Sequence, residues 1–81
     1  MNIDRLRYVE AAVRLSSLTE ASREVSVTSQ AVSNAVNEME GLYGRDLFDR
    51  VGRGLVTTEF GRQFAEKARE AIDAWDAVMD L

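Results

Sequence analysis

Residues 28 to 41 read TSQAVSNAVNEMEG, and the order of polar and apolar side chains within them decides the fold. With Ser29 at 0° and about 100° per helical residue, Ser29, Gln30, Ser33, Asn34 and Asn37 fall between about 0° and 140°. Ala31, Val32, Ala35, Val36, Met39, Leu42 and Tyr43 fall between about 200° and 340° on the same wheel. The pattern predicts one helix with an apolar back and a front of amides and hydroxyls. Thr28 is a good N-cap, and Gly44 supplies a left-handed residue after Tyr43. This helix carries no Lys or Arg, and it holds two acids, Glu38 and Glu40.

Upstream, Ile3, Leu6, Val9 and Val13 keep the three- and four-residue spacing of a helical face. The segment SSLTEASREV restarts the pattern, with Thr19 as N-cap, Glu20 in the first turn, and Leu18, Ala21 and Val25 pointing inward. Only three or four residues then separate it from the helix that Thr28 opens, as in a helix-turn-helix over about 18–37. Downstream, LFDRVGRGLVTT changes character. Two β-prone pieces, 47–50 and 55–57, flank Gly52-Arg53-Gly54 and predict a small hairpin. Thr58 caps a long last helix, EFGRQFAEKAREAIDAWDAVMDL. The expected fold is mainly α: three helices, a two-stranded β appendage over about 47–57, and a terminal helix over 59–81.

Composition narrows the function. A chain of 81 residues has room for one domain and buries only about 60% of its unfolded surface. Cys and His are absent, so disulfides, Cys/His metal sites and His acid–base chemistry are excluded. The single Lys67 sits mid-helix without a visible cleft, and neither an enzyme nor a cofactor is expected. Charges at Asp4, Arg5, Arg7 and Glu10 interrupt any signal peptide, and no stretch approaches the ~20 apolar residues of a membrane span. The expected location is cytoplasmic. The formal charge is −4, which counts against a nucleic-acid binder. It is unevenly placed: residues 1–58 hold seven Arg against eight acids, whereas residues 59–81 hold three basic residues against six acids.

The front of the third helix can nonetheless read DNA. Gln, Asn and Ser supply donors and acceptors to base edges without net charge, and a helix N-terminus favours phosphate. Glu40 lies about 16 Å beyond the helix start, and Glu38, near 180°, borders the front. The plainer reading is a solvated polar face. Arg50 and Arg53 flank or occupy the glycine-rich tip, where a guanidinium reaches phosphate or a minor groove. Arg50 could instead pair with Glu40 or Asp46. In the last helix Phe60, Phe64, Ala68, Ala71, Ile72, Trp75, Val78 and Met79 recur at helical steps. Such a stripe outruns a small core and predicts antiparallel self-association; the alternative is that the helix folds back on the first.

With these elements in place, the sequence resembles the N-terminal domain of LysR-type transcriptional regulators. The resemblance rests on LRYVEAAVRLSSLTEAS, on Ala-Val-Ser in the third helix, on Leu-Phe-x-Arg after its glycine, and on Thr-x-x-Gly before the long helix. It implies a winged helix-turn-helix at 1–58 and a linker helix at 59–81 that pairs to form dimers on promoter DNA. It also implies tetramers in full-length proteins and a small-molecule effector bound by a C-terminal domain absent from these residues. The family's base- and phosphate-contacting positions fall here on Thr28, Ser29, Gln30, Ser33 and Asn34, with Arg53 on the wing. The family commonly has Gln at Ser29, Pro at Gln30 and often Arg at Asn34, and Ser22 replaces a usual Ala. The preferred site is therefore expected to differ from the family's usual palindrome.

Two functions follow as expectations. The first is a sequence-specific DNA-binding domain of a bacterial regulator, contacting DNA through Thr28, Ser29, Gln30, Ser33, Asn34, Asn37, Arg50 and Arg53. Its homodimer would form through Phe60, Phe64, Ala68, Ala71, Ile72, Trp75 and Met79. The second is a dimerisation or protein-interaction module of the same fold with little DNA affinity. The first is the expected function; the second rests on the net charge and the Arg-free helix.

Overall fold

The computed structural model describes residues 1–81. Asn2 opens the first helix, α1 (Ile3–Leu15), by accepting the Arg5 N–H at 2.8 Å. Ser16 then turns left-handed at φ 51° and ends it. Ser17, in extended backbone, accepts the Glu20 N–H at 3.0 Å and starts α2 (Leu18–Val25). The cap is thus Ser17 and not Thr19, which lies inside the helix and uses its carbonyl to accept the Ser22 hydroxyl at 2.7 Å. Ser17 has the extended backbone that a capping hydroxyl needs. Ser26 adopts a second left-handed conformation, at φ 59°, and the chain re-enters helix after three residues as α3 (Ser29–Tyr43). Thr28 Oγ1 caps α3 by accepting the Ala31 N–H at 3.1 Å, and Gly44 closes it at φ 65°, both as the sequence predicts.

Two antiparallel strands follow, β1 (Phe48–Val51) and β2 (Gly54–Thr57), each one residue displaced from its expected start. Val51 pairs with Gly54, so the turn is Gly52-Arg53 alone, and Gly54 belongs to the strand. Gly52 has φ 58°, the positive value that the first position of a tight hairpin turn requires. α4 (Glu59–Met79) completes the chain.

The core joins Val9, Ala11, Ala12 and Val13 of α1 to Ala21, to Val32, Ala35, Val36 and Met39 of α3, and to Leu47 and Phe48. Phe64 and Ala68 of α4 close it. Ile72 is buried as well, so α4 lies along α1 over much of its length. Ion pairs reinforce that packing. Arg7 bonds Asp76 and holds its carboxyl below the usual range, while the buried Glu10 accepts from Arg14 and, at 3.2 Å, from Arg69.

One joint fixes both the hairpin and α4. Thr58 Oγ1 accepts the Gly61 N–H at 2.9 Å and donates to the Asp46 carbonyl at 2.8 Å. The Thr58 N–H bonds the Leu47 carbonyl at 3.0 Å. Gly61 sits so close that a Cβ would lie 2.4 Å from that carbonyl oxygen and 2.9 Å from Thr57 Cγ2. Gly61→Ala is expected to destabilise the fold by about 1–3 kcal/mol through forced displacement of backbone. Gly41, with no atom within 4 Å of a built Cβ, behaves oppositely: Gly41→Ala gains about 0.5–1 kcal/mol from helix entropy. Urea denaturation followed by circular dichroism measures both signs.

Candidate nucleic-acid interface

The three-residue turn between α2 and α3 presents the start of α3 at the surface. Thr28, Ser29, Gln30, Asn34 and Asn37 are exposed and Ser33 is half-buried, whereas Val32, Ala35, Val36 and Met39 on the opposite side are buried. The predicted division of the helix holds through its first three turns. It fails in the last, where Leu42 is 69% exposed and Tyr43 50%. That turn overhangs the small core, and the Tyr43 ring stands nearly perpendicular to those of Phe60 and Phe64, with centroids 4.9 and 6.1 Å away.

The two acids of α3 are both engaged. Glu40 Oε2 accepts the Leu47 N–H at 2.8 Å, so this carboxylate fastens the chain just before β1. Glu38 pairs with Arg5 and, at 3.3 Å, with the N-terminal ammonium. Desolvation opposes ionisation of Glu38, yet these two cations together hold its carboxyl below the usual range.

The hairpin stands beside this front. Ser33 and Asn37 share a cleft of about 230 Å³ with Leu18, Phe48, Leu55 and Arg50. Arg50 and Arg53 line a second cleft, about 400 Å³, against Ser17, Leu18 and Thr19 at the start of α2. Arg50 forms no ion pair with Glu40 or Asp46, although Asp46 and Asp49 line the first cleft with it. Arg53 is likewise unpaired. By contrast, Arg5, Arg7, Arg14, Arg62, Lys67 and Arg69 all pair with carboxylates, whereas Arg23 of α2 is exposed and without an ion pair. Arg45 lies over the Phe60 ring, 4.1 Å from its centroid. The structure thus joins helix front, hairpin arginines and the α2 start. The sequence offered Thr19 only as a cap and did not single out Ser17; the correct cap, Ser17, was the available signal.

The expected interface stripe on α4 divides in two. Phe64, Ala68 and Ile72 are buried within the chain, because α4 folds along α1. Phe60 is half-buried, and Ala71, Trp75, Val78 and Met79 are exposed.

A family model described as a bacterial regulatory helix-turn-helix protein of the lysR family matches residues 3–62. The chain belongs to the LysR family. Among its LysR relatives is the HTH-type transcriptional activator AmpR of Rhodobacter capsulatus, 38% identical over 78 residues, which are 96% of this chain and 27% of that protein. The HTH-type transcriptional regulator CbbR of Sinorhizobium medicae is 34% identical over 80 residues, 99% of this chain and 26% of that protein. The chain spans about a quarter of the length of these curated relatives. The crystal structure of the BenM DNA-binding domain with catB site 1 DNA superposes with a TM-score of 0.87 at 26% identity. That match covers 99% of this chain and 89% of that one. A full-length OxyR variant from Pseudomonas aeruginosa, at 19% identity and TM-score 0.88, shares the fold over 99% of this chain and 27% of its own. The winged helix-turn-helix and the LysR resemblance are therefore both established. No helix is long and apolar enough to cross a membrane.

The Glu38 pairing is open to direct measurement. In Arg5→Ala the Glu38 carboxyl is expected to titrate closer to the ordinary range, which carbon-detected NMR titration reads.

Proposed function

We propose that this chain is a sequence-specific DNA-binding domain of a bacterial LysR-type transcriptional regulator, acting as a dimer. The observation that carries the reading is the Arg-free but hydrogen-bonding front of α3, flanked by the unpaired Arg50 and Arg53. α3 enters the major groove by its N-terminal half. There Ser29, Gln30, Ser33, Asn34 and Asn37 meet base edges, and the turn capped by Thr28 meets phosphate. The wing carries Arg53 and Arg50 to the flanking backbone, with the hydroxyls of Ser17 and Thr19 beside them. The relatives' names describe transcriptional activators and regulators, and the BenM domain is bound to DNA in its crystal, which supports the reading. An enzymatic role has no support in a chain without His or Cys, and a place in the cytoplasm accords with a regulator of transcription.

The acids of α3 are engaged within the chain, and the ion pairs of the other helices cancel cations as well as acids. Glu38 and Glu40 are tied up in the scaffold, and Glu24, Glu59, Glu70, Asp73 and Asp76 are paired with cations. A second reading, a dimerisation module with weak DNA affinity, is favoured by Asp46 and Asp49 next to Arg50.

Fluorescence anisotropy against the protein's own upstream region, with a scrambled competitor at two salt concentrations, separates the two. Salt-weakened preference supports the DNA reader, because phosphate contacts release counterions; equal weak binding to both duplexes supports the second reading. Ser33→Ala is expected to lower preference for the specific site by about 1–3 kcal/mol. Arg53→Ala should weaken binding to all sequences alike and reduce the salt slope by about 1.

The dimer rests on the exposed part of α4. Ala71, Trp75, Val78 and Met79 form an apolar patch beyond the α1 contact, continuous with the half-buried Phe60, and a paired α4 would cover it. Trp75→Asp is expected to give a folded monomer by sedimentation equilibrium, whereas a variant that stays dimeric would rule this patch out.

A further inference from the structure

On the exposed front of α3, one hydrogen bond joins two polar side chains to each other. Gln30 Nε2 donates to Asn34 Oδ1 at 2.9 Å. The two residues are one helical turn apart, the spacing at which side chains meet. Their neighbours on the front are placed differently: Thr28 Oγ1 caps the helix, and Ser33 and Asn37 border the cleft shared with the wing without a side-chain bond to each other.

A primary amide has two N–H donors and one carbonyl oxygen. With one Nε2–H given to Asn34, Gln30 keeps the other Nε2–H and Oε1 side by side in one plane. In the major groove adenine offers an N7 acceptor beside an N6–H donor, which is the complement of that pair. Guanine offers two acceptors at the same edge, so Oε1 would face an acceptor there. The terminal torsion of a free glutamine is broad and roughly two-fold. The bond to Asn34 selects one orientation before DNA arrives and so reduces the ordering cost on binding. No guanidinium on α3 is present to prefer guanine instead.

We propose that Gln30 and Asn34 act as one reading unit, with Asn34 a positioning residue that turns the Gln30 amide to recognise a single adenine. The proposal rests on the DNA-binding reading above. It predicts that the two side chains govern the same base pair.

The test uses the 81-residue domain and the best-binding duplex from a random-sequence pool, with each adenine replaced in turn by 7-deazaadenine. That analogue still pairs with thymine but carries C–H in place of N7. For the unmodified protein, one position in each half-site is expected to weaken binding about tenfold or more. Gln30→Ala should bring that factor close to one. Asn34→Ala should also reduce it, at the same adenine. Asn34→Asp keeps an acceptor for Gln30 Nε2, so it should retain the factor while its charge weakens binding to every duplex. Circular dichroism checks that these exposed substitutions leave the fold intact. If Asn34→Ala keeps the full penalty, or the two alanine variants lose sensitivity at different base pairs, the reading unit is overturned while the DNA reader stands. If the unmodified protein selects no duplex over another, the DNA-reading function fails, and the unit with it.

Discussion

The structure depends on the close approach of Gly61 to the Leu47 carbonyl. At this joint the entry to β1, the end of β2 and the first turn of α4 meet, and there is no room for a side chain. Thr58 bonds the same region three times over: to the Leu47 carbonyl through its N–H, to the Asp46 carbonyl through its hydroxyl, and to the Gly61 N–H. A four-stranded sheet would have spread such a duty over a ladder, but a two-stranded hairpin is marginal alone and must borrow rigidity from helices. The Thr57 hydroxyl adds a second tie, bonding the Val13 carbonyl at 2.9 Å near the end of α1. Through these contacts the wing keeps a defined position beside α3.

Charge is organised around the same frame. Arginines facing the scaffold are matched with acids: Arg14 bridges Glu10 and Glu24, Arg69 joins Glu10 to Asp73, and Arg7 holds Asp76. The two arginines of the wing are left without partners. Surface pairs of this kind add little stability each. Each pair cancels one cation with one acid, so the local charge is set by the unpaired groups, which at the wing are Arg50 and Arg53 with Asp46 and Asp49 beside Arg50. A net charge of −4 is therefore a poor guide to the potential that a phosphate backbone would meet there.

One capping expectation changed, and the alternative pairing of Arg50 is not formed, each for an identifiable reason. Thr19 and Ser17 are both good capping residues, and the choice falls to Ser17, which follows the left-handed Ser16 in extended backbone. Local propensity ranks such candidates nearly equally, so the geometry of the preceding helix end decides. Arg50 had carboxylates within easy sequence reach, but Glu40 is used by the Leu47 N–H. A backbone donor fixed by the chain's path competes better than a long, mobile guanidinium on the surface.

The sequence by itself determined the helical periods, the caps at Thr28 and Thr58, the stop at Gly44, the glycine turn of the wing, and the polar front of α3. Each of these is local, because a hydroxyl, a missing Cβ or a 3.6-residue repeat acts over one or two turns. Motif spacing also sufficed to bring out the LysR family. Only the tertiary structure decided how the apolar stripe of α4 is shared. Its residues are equivalent on a helical wheel, but α1 covers Phe64, Ala68 and Ile72 and leaves Trp75, Val78 and Met79 to solvent. Which face meets a neighbour depends on the angle at which two helices cross, which neither helix's own periodicity fixes. The same holds for the Leu47 bond to Glu40 and the clefts that bring Arg50 to Ser33: they join residues whose proximity follows from packing and not from spacing along the chain.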